Sequence, residues 1–255
     1  MFKKFYKNTI IEKPKFTLLI LSTILITFSF FAKDFQLDAS SDTLLLENDP
    51  DLKYLREVSR NYNYKDYFVL TYTPKKNLLD PNTITNLTNL KNDLKKLKWA
   101  NNVITILDVP LLKNNDDPLA ERIKNFKTLS SENVDKERGF QEIINSPIYK
   151  EFVISKDTKT SGILVYIKPD KKMTSLIKTK NDYLDKNKDE EYSLEEKKKY
   201  KIFLNNYDNY KKIYNQKNHK NVNEIRKIIE RYQDTAKIHL GGIPMIADDM
   251  MSYIK

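Results

Sequence analysis

The chain has 255 residues, 40% of them hydrophobic and 31% charged, with a formal net charge of +10, enough for one fair-sized domain or two small ones. It has no cysteine, which excludes disulfides, thiol catalysis and cysteine-ligated zinc and leaves the redox compartment open. Lysine is abundant everywhere and no stretch looks like a nucleic-acid arm, so the charge reads as a lysine-rich solvated surface.

Residues 1–15 form a basic tail, with Lys3, Lys4, Lys7, Lys13 and Lys15 against Glu12. Phe16 to Ala32, FTLLILSTILITFSFFA, carries no charge. Its length gives about 25 Å of helix against a bilayer core of about 30 Å, the short end for a span. A basic flank before it keeps the N-terminus in the cytoplasm and sends the chain beyond Lys33 across. A cleaved signal peptide is the alternative, but its best cleavage point, after Ala32, puts bulky Phe30 where a small residue is needed. A retained anchor is therefore expected. Export also removes nucleic acid as a partner for the basic charge, which is +6 once the tail is set aside.

Asp34 to Pro50 reads as an extended connector, and Asp51 to Asn61 as a short helix with Leu52, Leu55 and Val58 on one face. Tyr67 to Thr73, YFVLTYT, closed by Pro74, is a strand. Asp80-Pro81 starts a helix as cap and first residue. Ile84, Leu87, Leu90, Leu94 and Leu97 then give it one apolar face. Asn102 to Pro110, NVITILDVP, is a second strand, completing a crossover unit with parallel strands. NNDDPLAERI is a loop, and Ser131 to Ser146 a helix burying Phe140, Ile143 and Ile144. Phe152–Ser155 and Ile163–Ile167 flank a polar turn and predict a hairpin.

Lys171 to Lys237 is charged and helical in pattern, with a capping box at Ser193 and Glu196. Phe203, Tyr207, Tyr210 and Tyr214 form a stripe that reads as packing rather than a ligand face. Val222, Ile225, Ile229 and Tyr232 come after the polar break NQKNHKN. Two helices folded back on each other, or one long bent helix, fit this pattern. AKIHLGG returns to strand character. The order of elements predicts an α+β domain of the split βαβ kind, over 33–246, with a helical insertion at about 171–235.

Little in the sequence points to chemistry. His219 and His239 are the only histidines and neither has a second histidine at metal spacing, so no metal or cofactor is expected. There is no phosphate loop and no serine elbow, so a hydrolase lacks its nucleophile and base. The acid pairs Asp116-Asp117, Glu190-Glu191 and Glu195-Glu196 read as solvated. Asp248-Asp249 comes after Gly241-Gly242 and Pro244 and is expected in the first turn of a helix starting near Ala247, favoured there by the helix dipole.

Two stretches go further. LDASSDTLLLENDPDLKYLREVSRNYNYKDYFVLTYTP resembles the segment after the first span of exporters of the RND superfamily, in the branch that handles lipids and other hydrophobes. Leu37-Asp38-Ala39-Ser40, Leu44-Leu45-Leu46-Glu47, Asp49-Pro50 and the strand to Pro74 carry this likeness. HLGGIPMIADDMMSYIK, with Gly241, Gly242, Pro244, Asp248 and Asp249, resembles the junction leading into their second span. ISKDTKTSGILVYIK is similar to their porter-domain hairpin. The resemblance implies a first span followed by a ferredoxin-like porter domain in the periplasm, on a bacterial inner membrane. It implies a lipid bilayer, a hydrophobic or lipid-like substrate, the remaining half of the exporter and possible further protomers as partners, and no enzyme activity. Proton-relay residues of such exporters lie in spans beyond this chain, so 247–255 is expected to be the start of a helix towards a missing second span. A self-contained single-span binding or sensor domain is the alternative.

Overall fold

The computed structural model describes residues 11–32, 49–61, 65–113, 118, 126–189 and 192–253. Most of the basic tail, the connector to residue 48, most of NNDDPLAERI, and the Asp116-Asp117 and Glu190-Glu191 pairs lie outside the described residues. The chain divides into an N-terminal unit and a larger unit beginning at Leu45.

The N-terminal unit holds α1, Pro14–Ala32. It is 19 residues long with a mean hydropathy of 1.9, long and apolar enough to cross a membrane. The hydroxyls of Thr17, Thr23 and Thr27 donate to the carbonyls of Lys13, Leu19 and Thr23, at 3.2, 2.8 and 2.8 Å. These three hydroxyls are thereby satisfied within the helix itself, as an apolar surrounding requires.

The larger unit is a mixed α+β structure built on one four-stranded sheet. Its elements are α2 (Pro50–Asn61), β1 (Tyr67–Pro74), α3 (Pro81–Lys95), β2 (Ala100–Ile104), α4 (Lys136–Ile144), β3 (Ser161–Ile167), α5 (Lys171–Asp189), α6 (Leu194–Glu230), β4 (Ala236–Gly241) and α7 (Ile243–Tyr253). The strand order is β2-β3-β1-β4 and every neighbouring pair is antiparallel. β1 and β2 therefore run the same way with β3 between them. β3 and β4 run the same way with β1 between them. The expected crossover is present, and a second one interleaves with it.

Alternation along the strands sets the core. Phe68, Leu70 and Tyr72 of β1, Ile163 and Val165 of β3, and Ala236 and Ile238 of β4 are buried on one face. Leu87, Leu90 and Leu94 of α3 and Val222, Ile225, Ile228 and Ile229 of α6 join them in a single cluster. Asp80 caps α3 as expected, its carboxylate accepting from the Asn82 amide at 2.9 Å, with Pro81 opening the helix. A bulge between Ala100 and Asn102 explains two exposed residues in succession in β2.

Four expectations are corrected. The second strand stops at Ile104 and gives way to a 3-10 turn, Ile106–Asp108, because Thr105 and Asp108 close a capping box. Helix α4 begins only at Lys136, where Asp135 caps it by accepting from the Arg138 amide at 3.1 Å. The first arm of the hairpin shrinks to an isolated bridge, Ile154 with Ser161, and the central pairing of β3 goes to β1 instead. The helical segment after residue 171 is not an insertion beside the fold. Two helices do form, but they meet near Ser193, and α6 runs unbroken through NQKNHKN to supply the helical layer of the second crossover.

Among the described residues, one buried side-chain polar atom lacks a partner. The Tyr72 hydroxyl is buried and makes no hydrogen bond, and burial raises its pKa. Removing it by Tyr72→Phe is expected to raise stability by about 1 kcal/mol, read as a higher urea midpoint at unchanged slope.

Candidate functional site

The residues singled out in the closing motif come together at the α6–α7 junction. Gly242 has φ of 105°, and a Cβ there would meet the Tyr67 carbonyl oxygen at 3.0 Å, the Val69 nitrogen at 3.2 Å and the Phe68 Cα at 3.3 Å. Glycine is thus needed to turn the chain tightly off the sheet. At Gly241 a Cβ would meet only the Val69 oxygen, at an ordinary 3.7 Å. Helix α7 begins immediately, at Ile243 rather than near Ala247. Pro244 lies in its first turn, where the amide it lacks has no acceptor to serve. Asp248 and Asp249 consequently fall beyond the first turn, so the expected dipole role does not apply to them.

Both acids instead face α6. Asp248 is 2% exposed, and its carboxylate oxygens lie 3.0 and 3.1 Å from His219 Nδ1. With the proton on Nδ1 the ring donates to Asp248 and its Nε2 accepts from Asn223 Nδ2 at 3.0 Å. Asp249 pairs with Arg226 at 2.7 Å. Asn218 Nδ2 donates to the Pro244 carbonyl at 2.6 Å. Asn215 Nδ2 lies 3.3 Å from Met251 Sδ. Residues 215, 218, 219, 223 and 226 fall on one helical face, so the supposed polar break is a polar seam that clasps α7. Its spacing of three and four was visible in the sequence; its partner was not, because α7 lies more than 20 residues away.

His219 and Asp248 have the form of a base and its orienter. A hydrolytic site would also need a nucleophile on the free ring nitrogen. Here that nitrogen is occupied by Asn223, and among the described residues no hydroxyl contacts the ring. Among the same residues no cluster of histidine and acids has a metal-holding arrangement. His239 sits exposed on β4, opposite Thr71 of β1. Glu195 and Glu196 bind locally: Glu195 to Lys199 at 2.8 Å, and Glu196 to Lys186 at 2.7 Å as well as in the Ser193 capping box. The Lys186 and Ser193 hydrogen bonds pull Glu196 down to about 2.

A second polar cluster fixes α5 and α6 to the sheet. Asp170 accepts from the amides of Lys172 and Met173 at 3.1 and 3.0 Å, from the Tyr210 hydroxyl at 2.8 Å and from Lys217 at 3.2 Å. Burial alone would raise its pKa, but the Met173, Tyr210 and Lys217 hydrogen bonds outweigh that and hold it low. Tyr214 donates to Asp66 at 3.2 Å, and burial with that carboxylate raises the phenol. Tyr232 donates to Asp93 at 2.9 Å and is pushed up to about 12, by burial first and then by that bond. Trp99 Nε1 donates to Glu224 at 2.7 Å.

The lowered Asp170 pKa has a definite pH consequence. Its stabilisation is complete above the ordinary aspartate value of about 3.9 and is lost as pH falls through the lower folded value. Asp170→Asn keeps a capping side chain but weakens the charge-assisted bonds from Tyr210 and Lys217; it is expected to cost about 1 kcal/mol near neutrality and to remove this part of the acid dependence, measured as thermal stability against pH.

The tyrosine stripe is packing, as expected. Phe203 lies 5.4 Å from Tyr183 and 6.3 Å from Tyr207, and Tyr200 lies 5.0 Å from Tyr183, all between ring centroids. Tyr192 donates its hydroxyl to the Tyr183 carbonyl and closes the helical hairpin.

Comparison with protein-family models, curated proteins and solved structures finds no match to this chain.

Proposed function

We propose that the chain is the first membrane span and the first porter domain of an RND-type exporter for lipids or other hydrophobic compounds. In this proposal α1 anchors the chain in a bacterial inner membrane and the larger unit is a ferredoxin-like domain on the periplasmic side. The strand order carries the proposal. The order β2-β3-β1-β4, antiparallel throughout and closed by two interleaved crossovers, is that of a βαββαβ domain, and it comes after an apolar helix. Substrate would pass through clefts between such domains. Helix α1 has no ionisable side chain between Phe16 and Ala32, so a proton relay must come from other spans. The segment is accordingly a part of a transporter and not a transporter itself.

A self-contained anchored binding or sensor domain is the second reading. It is favoured by the way α7 lies clasped against α6 through Asp248 and Asp249. The gene beyond the Lys255 codon separates the two. The exporter requires a further uncharged apolar segment of about 20 residues within a few codons, and a stop codon there contradicts it.

A further inference from the structure

The positive charge of the chain is not spread evenly. From Lys171 to Glu230 there are 16 Lys and Arg against 10 Asp and Glu, a net of +6, and residues 1–15 carry +4. All the rest of the sequence is neutral, since these two segments account for the whole +10. Outside the tail, the excess therefore belongs to the α5–α6 hairpin.

Within α6 the excess is further sorted by face. Tyr200, Phe203, Tyr207, Tyr210 and Tyr214 recur at three and four and hold one side against α5 and the sheet. Lys197, Lys198, Lys201 and Lys212 occupy the opposite side, all exposed, and none of them pairs with an acid among the described residues. Asp208 is the one acid in their stripe. Leu194 and Ile202 stand among these lysines, 81% and 70% exposed. Single exposed apolar residues are common on a solvated helix, which gives no particular cause to set them among unpaired lysines. A helix lying in the headgroup layer does, because lysines meet lipid anions while the apolar side chains enter the acyl boundary.

We propose that the outer face of α6, through Lys197, Lys198, Lys201 and Lys212 with Leu194 and Ile202, docks on the surface of a bilayer rich in anionic phospholipid. The interleaved apolar residues favour a lipid surface over an acidic protein or a nucleic acid, either of which would be served by charge alone. Docking does not depend on the exporter proposal, and it holds equally for a self-contained anchored domain.

The test uses the full chain in phosphatidylcholine nanodiscs, so that α1 is already embedded. Its association is measured with separate vesicles of pure phosphatidylcholine and of phosphatidylcholine containing about one third phosphatidylglycerol. Strong preference for the anionic vesicles is expected, together with a loss approaching about a thousandfold in affinity when all four lysines become Gln. Leu194→Ser with Ile202→Ser, which leaves charge unchanged, is expected to weaken binding by about tenfold or more. Helicity by circular dichroism keeps the variants comparable. Equal binding to both vesicles, or indifference to the lysine variant, overturns the proposal. Full binding after the Leu194 and Ile202 changes, or equally tight capture of polyglutamate or RNA, also overturns it and leaves a general anion attraction.

Discussion

Gly242→Val is expected to destabilise the larger unit by about 3 kcal/mol or more, whereas Gly241→Ala is expected to be near neutral. The two residues are adjacent in sequence, and both lie beside β1. They differ in backbone, with φ of 105° at Gly242, and in what surrounds a new Cβ. At Gly242 that atom would meet three backbone atoms of Tyr67, Phe68 and Val69 within 3.3 Å. These belong to the central strand, which pairs with both β3 and β4 and cannot retreat without disturbing the sheet. Urea unfolding of the two variants gives the comparison, and equal losses would show that the turn does not need this conformation.

His219→Ala is expected to cost about 3 kcal/mol, although the ring is half-exposed and looks dispensable. The cost arises on the other side of the contact. Asp248 is 2% exposed, and no described side chain other than His219 hydrogen-bonds its carboxylate. Without the ring a buried carboxylate is left with no side-chain partner. Adding Asp248→Asn to His219→Ala should therefore recover much of the loss, because a neutral amide is cheaper to leave buried than a charge. Simple additivity of the two substitutions would show that the contact carries no coupling. Weakening the clasp is also expected to speed hydrogen exchange in α7 before the sheet responds.

The elements that carry their own local signals were legible in the sequence. The strand YFVLTYT, the Asp80-Pro81 helix start, the Ser193 box, the Tyr stripe and the β4 run before the glycines all form where pattern and capping place them. What failed did so because the deciding partner is distant. Phe152–Ser155 has strand composition, but β3 finds its main partner in β1, more than 80 residues earlier. NQKNHKN has the composition of a break, yet it continues a helix because α7 supplies partners for its polar groups. Asp248-Asp249 looks like a helix start because acids favour first turns, while the tight turn at Gly242 moves that start upstream and turns the pair towards His219 and Arg226. Charge seen as uniform along the sequence becomes localised once α5 and α6 are known to form one hairpin.

The proposed function places the larger unit outside the cytoplasm, tethered by α1. Because the chain has no cysteine, a single introduced thiol is a unique reporter. Lys156 lies exposed in the turn before β3, and Lys7 lies in the basic tail. In intact cells stripped of the outer barrier, a membrane-impermeant maleimide is expected to label Lys156→Cys at once and Lys7→Cys only after the inner membrane is lysed. Labelling of Lys7→Cys in intact cells with protection of Lys156→Cys, or protection of both until lysis, would contradict the account.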